Sequence, residues 1–343
     1  MGPSSELFLS FYGLVCVHVS GPRALISFLR SEWGRFELPE SRRDPDIWIR
    51  WGNGRARPAY PQSNNSRTKL AGWYKGCLWR ATVEKTDAST LVEYSSMPPS
   101  NFLFKDSCIE PLLLASLESK GLHGLHASSL GIGKNAWVFC GEPRSGKTIL
   151  GLMGARSGHA FLSDDVALLG DGMVYPYLAP PRVYLHNMRD RELFEELIFR
   201  HVSPDLVRNL LVSLVTLGRL RVPTRLTSAN EPHNRLLASE RFPLGGLFLL
   251  KAHGQRPGVS VVRDEDAVLR DVSLSPPIHG ASILDQIRGD GKELQAMAPD
   301  LETVLRGLFD ARRVFEITAT HRLSMHQWVG IFNEVVNIAE GFS

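Results

Sequence analysis

The segment 141–148 constrains this chain more than any other, because it fits the pattern of a phosphate-binding loop. The pattern consists of two glycines, a lysine and a hydroxyl residue at fixed spacing, here Gly141, Gly146, Lys147 and Thr148. Backbone N–H groups that curl around phosphate oxygens require glycine where a Cβ would collide with them, and the N-terminus of a following helix adds positive potential. The apolar run 137–140 before the loop predicts a strand. The sequence therefore predicts a nucleotide phosphate site rather than a glycine-rich turn that caps an ordinary helix.

Two side chains of this loop have a predicted chemical role of their own. We expect Lys147 to contact the β- and γ-phosphates as a point charge, and the Thr148 hydroxyl to complete the coordination shell of a Mg²⁺ that bridges them. ATP and Mg²⁺ are therefore the expected cofactors. The other residues predicted to line the nucleotide are Gly141, Glu142, Pro143, Arg144, Ser145, Gly146 and Ile149.

An acidic pair follows the loop. Asp164 and Asp165 stand directly after the apolar run 160–163, where a phosphate-loop enzyme is expected to carry a metal-binding carboxylate. Successive side chains of an extended chain point to opposite faces, so the two carboxylates are expected to face different groups. One is predicted to hold the Mg²⁺, and the other to act as general base for an attacking hydroxyl. The spacing does not assign the two roles, and an alternative is that the second carboxylate only caps a turn.

His126 is a further candidate catalytic residue. It lies in the segment 125–130, which we predict to form a hairpin with the strand 136–140 that leads into the loop. A histidine on the strand beside the loop strand would lie within reach of the acidic pair and could orient or polarise a carboxylate. A structural histidine is the competing interpretation.

Strand pairs flank both motifs, and they predict a mixed sheet. A hairpin of segments 166–169 and 173–177 follows the acidic pair, where a parallel βαβ unit would have a helix. Helices are also predicted at 187–200, 203–214 and from Ser324 onward, and strands at 244–250 and 313–318. We therefore expect an α/β class with an α+β tendency. A boundary near residue 118 divides the chain into a smaller, β-rich mixed N-terminal domain, 1–118, and a nucleotide-binding domain, 119–343.

The bulk properties argue against several classes of partner. The formal net charge is only +3, so no global field indicates binding to nucleic acid. The apolar stretch 7–19 is too short and too interrupted to span a bilayer, and it lacks a charged leader and a cleavage site. The four cysteines show no metal-ligand spacing, which suits a reducing cytoplasm. We therefore expect a cytoplasmic protein with neither a nucleic-acid nor a membrane partner.

The stretch 126–177 resembles the HPr kinase family and its relatives, which share a phosphoenolpyruvate-carboxykinase-like core. In that family a histidine-bearing strand, a glycine turn, a phosphate loop and an Asp-Asp pair follow in the same order, here at His126, 131–133, 141–148 and 164–165. The resemblance implies a phosphate-loop kinase core with ATP-dependent phosphorylation of a serine on a peptide or protein. It also implies one aspartate as base, Mg²⁺ bridging the phosphates, and a homo-oligomer, since relatives are often oligomeric.

The chain departs from the family pattern in two places. Arg144 stands where the family usually has glycine, and the family's later glycine-rich segment, which supports phosphorolysis, has no counterpart after Tyr177. In these respects the chain is more similar to HPr-kinase-related proteins that accompany the biosynthesis of modified peptides, including lasso peptides. Those proteins phosphorylate a peptide serine.

Three functions remain open on the sequence alone. The first is a kinase that acts on a serine hydroxyl of a peptide or protein. The second is a regulator that binds ATP without transferring phosphate, and the third is a small-molecule phosphotransferase. The acidic pair favours catalysis over simple binding. No cluster of basic residues indicates a pocket for a small acidic substrate.

Overall fold

The computed structural model describes residues 5–40, 43–52, 66–74, 77–86, 89–96, 101–142, 145–177, 182–183, 224–225, 240–251, 257–262, 264–273, 299–319 and 323–342. The described residues up to Leu122 belong to one compact unit, and those from His123 onward belong to a second. Each unit combines helices with a mixed sheet, so the chain is mixed α/β. The helices predicted at 187–200 and 203–214 lie outside the described residues.

The first unit contains the strands β1 (Ser5–Phe11), β2 (Val15–Gly21), β3 (Glu37–Leu38), β4 (Ile47–Trp51), β5 (Ser66–Tyr74), β6 (Cys77–Lys85) and β7 (Thr90–Ser96), and the helices α1 (Arg23–Trp33), α2 (Asn101–Phe104) and α3 (Glu110–Glu118). A π-helical turn, Lys105–Ile109, joins α2 to α3. In the described part of this unit, the strands form one seven-stranded sheet in the order β3-β1-β2-β4-β7-β6-β5. On β1 and β4, alternate residues such as Leu7, Leu9 and Ile49 are buried, as expected where one face of a sheet packs against helices.

The second unit contains the strands β8 (His123–Leu125), β9 (Ala127–Ile132), β10 (Asn135–Gly141), β11 (Ala160–Ser163), β12 (Ala167–Gly170), β13 (Met173–Tyr175), β14 (Arg182–Val183), β15 (Thr224–Arg225), β16 (Phe242–Lys251), β17 (Gly258–Val261) and β18 (Val314–Thr318). β14 and β15 pair only with each other among these strands. The others form one branched sheet in which β16 pairs in parallel with β10 and β18. From β10 the sheet continues through β9 to β11, and from the start of β16 it continues through β13 and β12 to β8.

Helices cover both faces of this sheet. They are α4 (Lys147–Arg156), α5 (Glu265–Ser273), α6 (Pro299–Asp310) and α7 (Met325–Gly341). On β10, Trp137 and Phe139 belong to the apolar cluster that includes residues of α4 and α7, whereas Val138 and Cys140 belong to the cluster that includes residues of α5 and α6. A strand buried on both faces has a continuous apolar sequence, which explains the run that precedes the loop.

Several local predictions of the second unit are confirmed. β9 and β10 form the predicted hairpin with a two-residue turn at Gly133 and Lys134, and β12 and β13 form the second hairpin. Ser324 caps α7 in a reciprocal capping box with Gln327. None of the described helices combines the length and the apolar character that a membrane-spanning helix needs.

Candidate functional site

The predicted phosphate loop connects the end of β10 to the start of α4. Gly141 has a φ of 149° and Gly146 a φ of 107°, in the region that L-residues rarely adopt. A Cβ on Gly141 would lie 2.4 Å from the carbonyl oxygen of Leu250 on β16. Backbone conformation and space therefore both require glycine here. The predicted contact residues Pro143 and Arg144 lie outside the described residues.

Lys147 is buried at the first position of α4, and its ammonium group turns back onto the loop. Its Nζ donates to the carbonyl oxygens of Gly141, at 2.6 Å, and of Glu142, at 3.0 Å. Burial lowers the pKa of Lys147, and the nearby carboxylates of Asp165 and Asp164 act in the opposite direction. The lysine is thus held inside the loop and within electrostatic range of the acidic pair.

Two of the three predicted metal-binding residues, Thr148 and Asp164, are in direct contact. Thr148 Oγ1 donates to Asp164 Oδ1 at 2.9 Å, although the two residues are 16 positions apart. Asp164 follows the end of β11 and is only 5% exposed. This hydrogen bond brings a hydroxyl and a carboxylate oxygen together, and both are ligands that Mg²⁺ accepts.

Asp165 occupies a different environment from Asp164. It has a φ of 67°, and the N–H of Val166 donates to the carbonyl oxygen of Asp164 at 2.8 Å, so Asp165 is the central residue of a three-residue γ-turn. Its own carbonyl oxygen accepts from the N–H of Ala127 at 3.2 Å. A positive φ at a non-glycine residue costs of order 1–3 kcal/mol and occurs preferentially at functional sites. The half-buried Asp165 is thus held in a strained turn beside the buried Asp164.

His126 does not lie on a strand, contrary to the sequence prediction. It occupies the bend between β8 and β9, where the chain passes from one branch of the sheet to the other. The preceding Leu125 pairs with Ala167, and the following Ala127 bonds to Asp165. The backbone of His126 therefore lies beside the γ-turn at Asp165. The predicted proximity to the acidic pair is found, although His126 occupies a bend and not a strand.

Serine side chains that were not singled out from the sequence support the site. Ser128 Oγ donates to the carbonyl oxygen of Lys147 at 3.0 Å, and Ser129 Oγ lies 2.6 Å from Ser163 Oγ. All three hydroxyls are buried. Consecutive serines inside a buried strand are the sequence signal that could have identified Ser128 and Ser129, because buried hydroxyls need partners.

Trp328 of α7 packs against the loop. It is buried, and a Cβ added to Gly146 would lie 2.1 Å from its Cη2 atom. Ile149, a predicted contact residue, packs against the apolar cluster on this face of the sheet, which includes Trp328. The last helix of the chain therefore supports the glycine that immediately precedes Lys147.

Ser145 presents a buried hydroxyl inside the loop. Its Oγ has no hydrogen-bond partner among the residues that the structure describes, and the residue is only 2% exposed. An unpaired buried hydroxyl is costly, and a phosphate oxygen would satisfy it. The glycines, Lys147 and Ser145 together fit a polyphosphate. Glu142, by contrast, is exposed and contributes only its carbonyl oxygen to the contact with Lys147.

Replacing Gly146 by alanine is expected to destabilise the protein by about 2 kcal/mol or more, because a strained φ and overpacking against Trp328 add together. Chemical denaturation measures this loss. Gly158 is the matched control, since its φ is 88° but a Cβ there would meet nothing within 4 Å. An equal decrease in the free energy of unfolding for Gly146→Ala and Gly158→Ala would show that the contact with Trp328 does not add to the cost of the substitution.

Comparison with known proteins adds no assignment. No family model matches the chain, and a search of curated proteins finds no match. In the described part of the chain, no three His, Cys, Asp or Glu side chains form a group that could hold a metal ion. The pair of Thr148 and Asp164 is the candidate for the Mg²⁺ predicted from the sequence.

Proposed function

We propose that this chain is a kinase of the HPr-kinase-like type, which uses ATP and Mg²⁺ to phosphorylate a serine hydroxyl on a peptide or protein. The observation that carries the proposal is the hydrogen bond between Thr148 and Asp164, because it joins the phosphate loop to the acidic pair. A loop that only capped a helix would have no need of this contact. The strained turn at Asp165, directly beside it, supports a catalytic rather than a purely binding site.

Each residue of the site has a separate role in the proposed phosphoryl transfer. The backbone N–H groups of the loop and Lys147 bind the triphosphate, and Ser145 donates to a phosphate oxygen. Thr148 and Asp164 would hold Mg²⁺, which when bound neutralises charge on the phosphates. Asp165 accepts the proton of the serine hydroxyl while the serine oxygen bonds to the γ-phosphorus and the bond to the ADP oxygen breaks. This assignment makes Asp164 the metal ligand and Asp165 the base.

Two measurements test the proposal. ATP with Mg²⁺ is expected to raise the melting temperature, since a ligand at about 100 times its Kd stabilises by about 2.7 kcal/mol. With γ-labelled ATP, label is expected to appear on serine peptides and not on their Ser→Ala counterparts. Stabilisation by ATP without transfer to any acceptor would support a regulator, and transfer to small alcohols alone would support a small-molecule phosphotransferase. Absence of stabilisation at millimolar ATP would contradict all three.

A further inference from the structure

A groove of about 480 Å³ lies on the sheet of the first unit, over β5, β6 and β7. Its lining includes two rows of side chains that run across the three strands. Lys69 pairs with Thr82, which pairs with Glu93, and Ala71 pairs with Arg80, which pairs with Ser95. Cross-strand partners share a face of a sheet, so all six lie on the same side. The alternating residues Leu70, Ala81 and Tyr94 are buried.

The groove presents two cations that have no partner among the described residues. Lys69 and Arg80 are exposed, and neither makes a hydrogen bond or an ion pair within the part of the chain that the structure describes. The lining also contains one carboxylate, Glu93, so two cations and one anion face the groove; Glu93 stands directly opposite Arg50 of β4 in the sheet register. The groove is therefore complementary to an anionic ligand.

The spacing of the cations suits an extended peptide. Lys69 and Arg80 are diagonal neighbours on two strands, which places their Cα atoms about 7–8 Å apart. In an extended chain, residues i and i+2 lie about 6.8 Å apart and point to the same side. Two acidic residues at alternate positions of a peptide strand would therefore face both cations at once.

The edge of the sheet offers a place for such a strand. Among the described strands, the nine-residue β5 pairs only with β6, so its outer edge has no described neighbour. Edge strands of this kind accept an extended peptide through main-chain hydrogen bonds. A peptide residue opposite Lys69 would meet it directly. A residue opposite Ala71 would be reached by Arg80 from the next strand, because the small Ala71 side chain leaves room above it.

We infer that the outer edge of β5 binds an extended peptide segment that carries acidic side chains at alternate positions, and that these side chains reach over β5 to Lys69 and Arg80 at the near end of the groove. The identification of this peptide as part of the phosphate acceptor rests on the proposed function, but its binding does not. The site adds a recognition surface outside the phosphate-transfer site, so that a substrate is selected by its flanking sequence as well as by its serine.

Fluorescence anisotropy with the whole 343-residue chain tests this inference. The probe is a fluorescein-labelled peptide of about twelve Thr, Val and Ser residues with glutamate at two alternate positions, and matched peptides carry glutamine there or two adjacent glutamates. We expect the first peptide to bind most tightly. The double variant Lys69→Glu/Arg80→Glu is expected to raise its Kd about tenfold or more, with an effect that shrinks at high salt. The single variants Lys69→Gln and Arg80→Gln, whose folding is checked by circular dichroism, are expected to weaken binding less than the double variant does.

Two control variants distinguish binding in this groove from binding elsewhere on the protein. Lys85→Glu reverses one charge, as the double variant does at each of its two positions, but at an exposed position of β6 whose side chain alternates to the opposite face, and it is expected to leave binding unchanged. Lys147→Ala is expected to retain full peptide affinity even though it loses phosphoryl transfer. Failure of the kinase proposal can therefore be distinguished from failure of the peptide-binding inference. Equal binding of the glutamate and glutamine peptides, or of the wild type and the double variant, would overturn the inference. Equally tight binding of oligothymidylate would overturn it in favour of a general polyanion site.

Discussion

Replacing Asp165 by asparagine is expected to lower kcat for phosphoryl transfer by about a hundred- to ten-thousandfold, the range that loss of a general base covers. Asparagine retains the shape of the side chain and tolerates the positive φ of 67° that the γ-turn imposes, so the fold should be unaffected. The loss would therefore report on proton transfer. Initial rates at saturating ATP and Mg²⁺ measure it directly.

Asp164→Asn provides the comparison. Because Asp164 is the residue that contacts Thr148, its replacement is expected to raise the Mg²⁺ concentration needed for half-maximal rate, whereas Asp165→Asn is expected to leave that concentration unchanged. Identical Mg²⁺ titrations and identical rates for the two variants would contradict the division of roles. A rate that rises again at high Mg²⁺ for Asp165→Asn alone would reverse the assignment.

Replacing Lys147 by alanine is expected to lower kcat/KM for ATP by about a hundred- to a thousandfold, since a preorganised donor to the transferred group is lost. The same variant should lose the stabilisation by ATP and Mg²⁺ in thermal unfolding. Lys134→Ala is the control, because Lys134 is exposed in the turn between β9 and β10 of the same unit. Rates and thermal shifts that match the Lys134 variant would remove the lysine, and with it the phosphate loop, from the mechanism.

Much of the second unit could be predicted because its signals are local. The glycine and lysine spacing of the loop, the turn residues of the two hairpins and the Ser324 cap each depend on a few neighbouring residues. The sequence also predicts that Thr148 and an aspartate of the pair bind the same Mg²⁺, and in the structure Thr148 contacts Asp164. These features follow from short-range geometry.

The remaining features depend on contacts between distant segments. His126 lies in a bend because the sheet branches there: β8 pairs with β12, whereas β9 pairs with β10 and β11. No local sequence pattern indicates that a sheet branches. The packing of Trp328 against Gly146 joins two segments far apart in sequence. The hairpin of β5 and β6 was not predicted from the sequence, although on β6 the buried Trp79, Ala81 and Val83 alternate with polar residues, which is the signal of a half-buried strand. The distinction between the two aspartates also required backbone geometry.

The two serines of β9 have a consequence for how ligands would be recognised. Because neighbouring side chains of a strand point to opposite faces, Ser128 anchors the carbonyl oxygen at the start of α4 while Ser129 anchors the end of β11, immediately before the acidic pair. A single strand thereby contacts both the start of α4, where Lys147 lies, and the residue before the acidic pair. Under the proposed function, binding of ATP would therefore cost little conformational entropy at these positions, and a tight affinity would need only a small number of direct contacts.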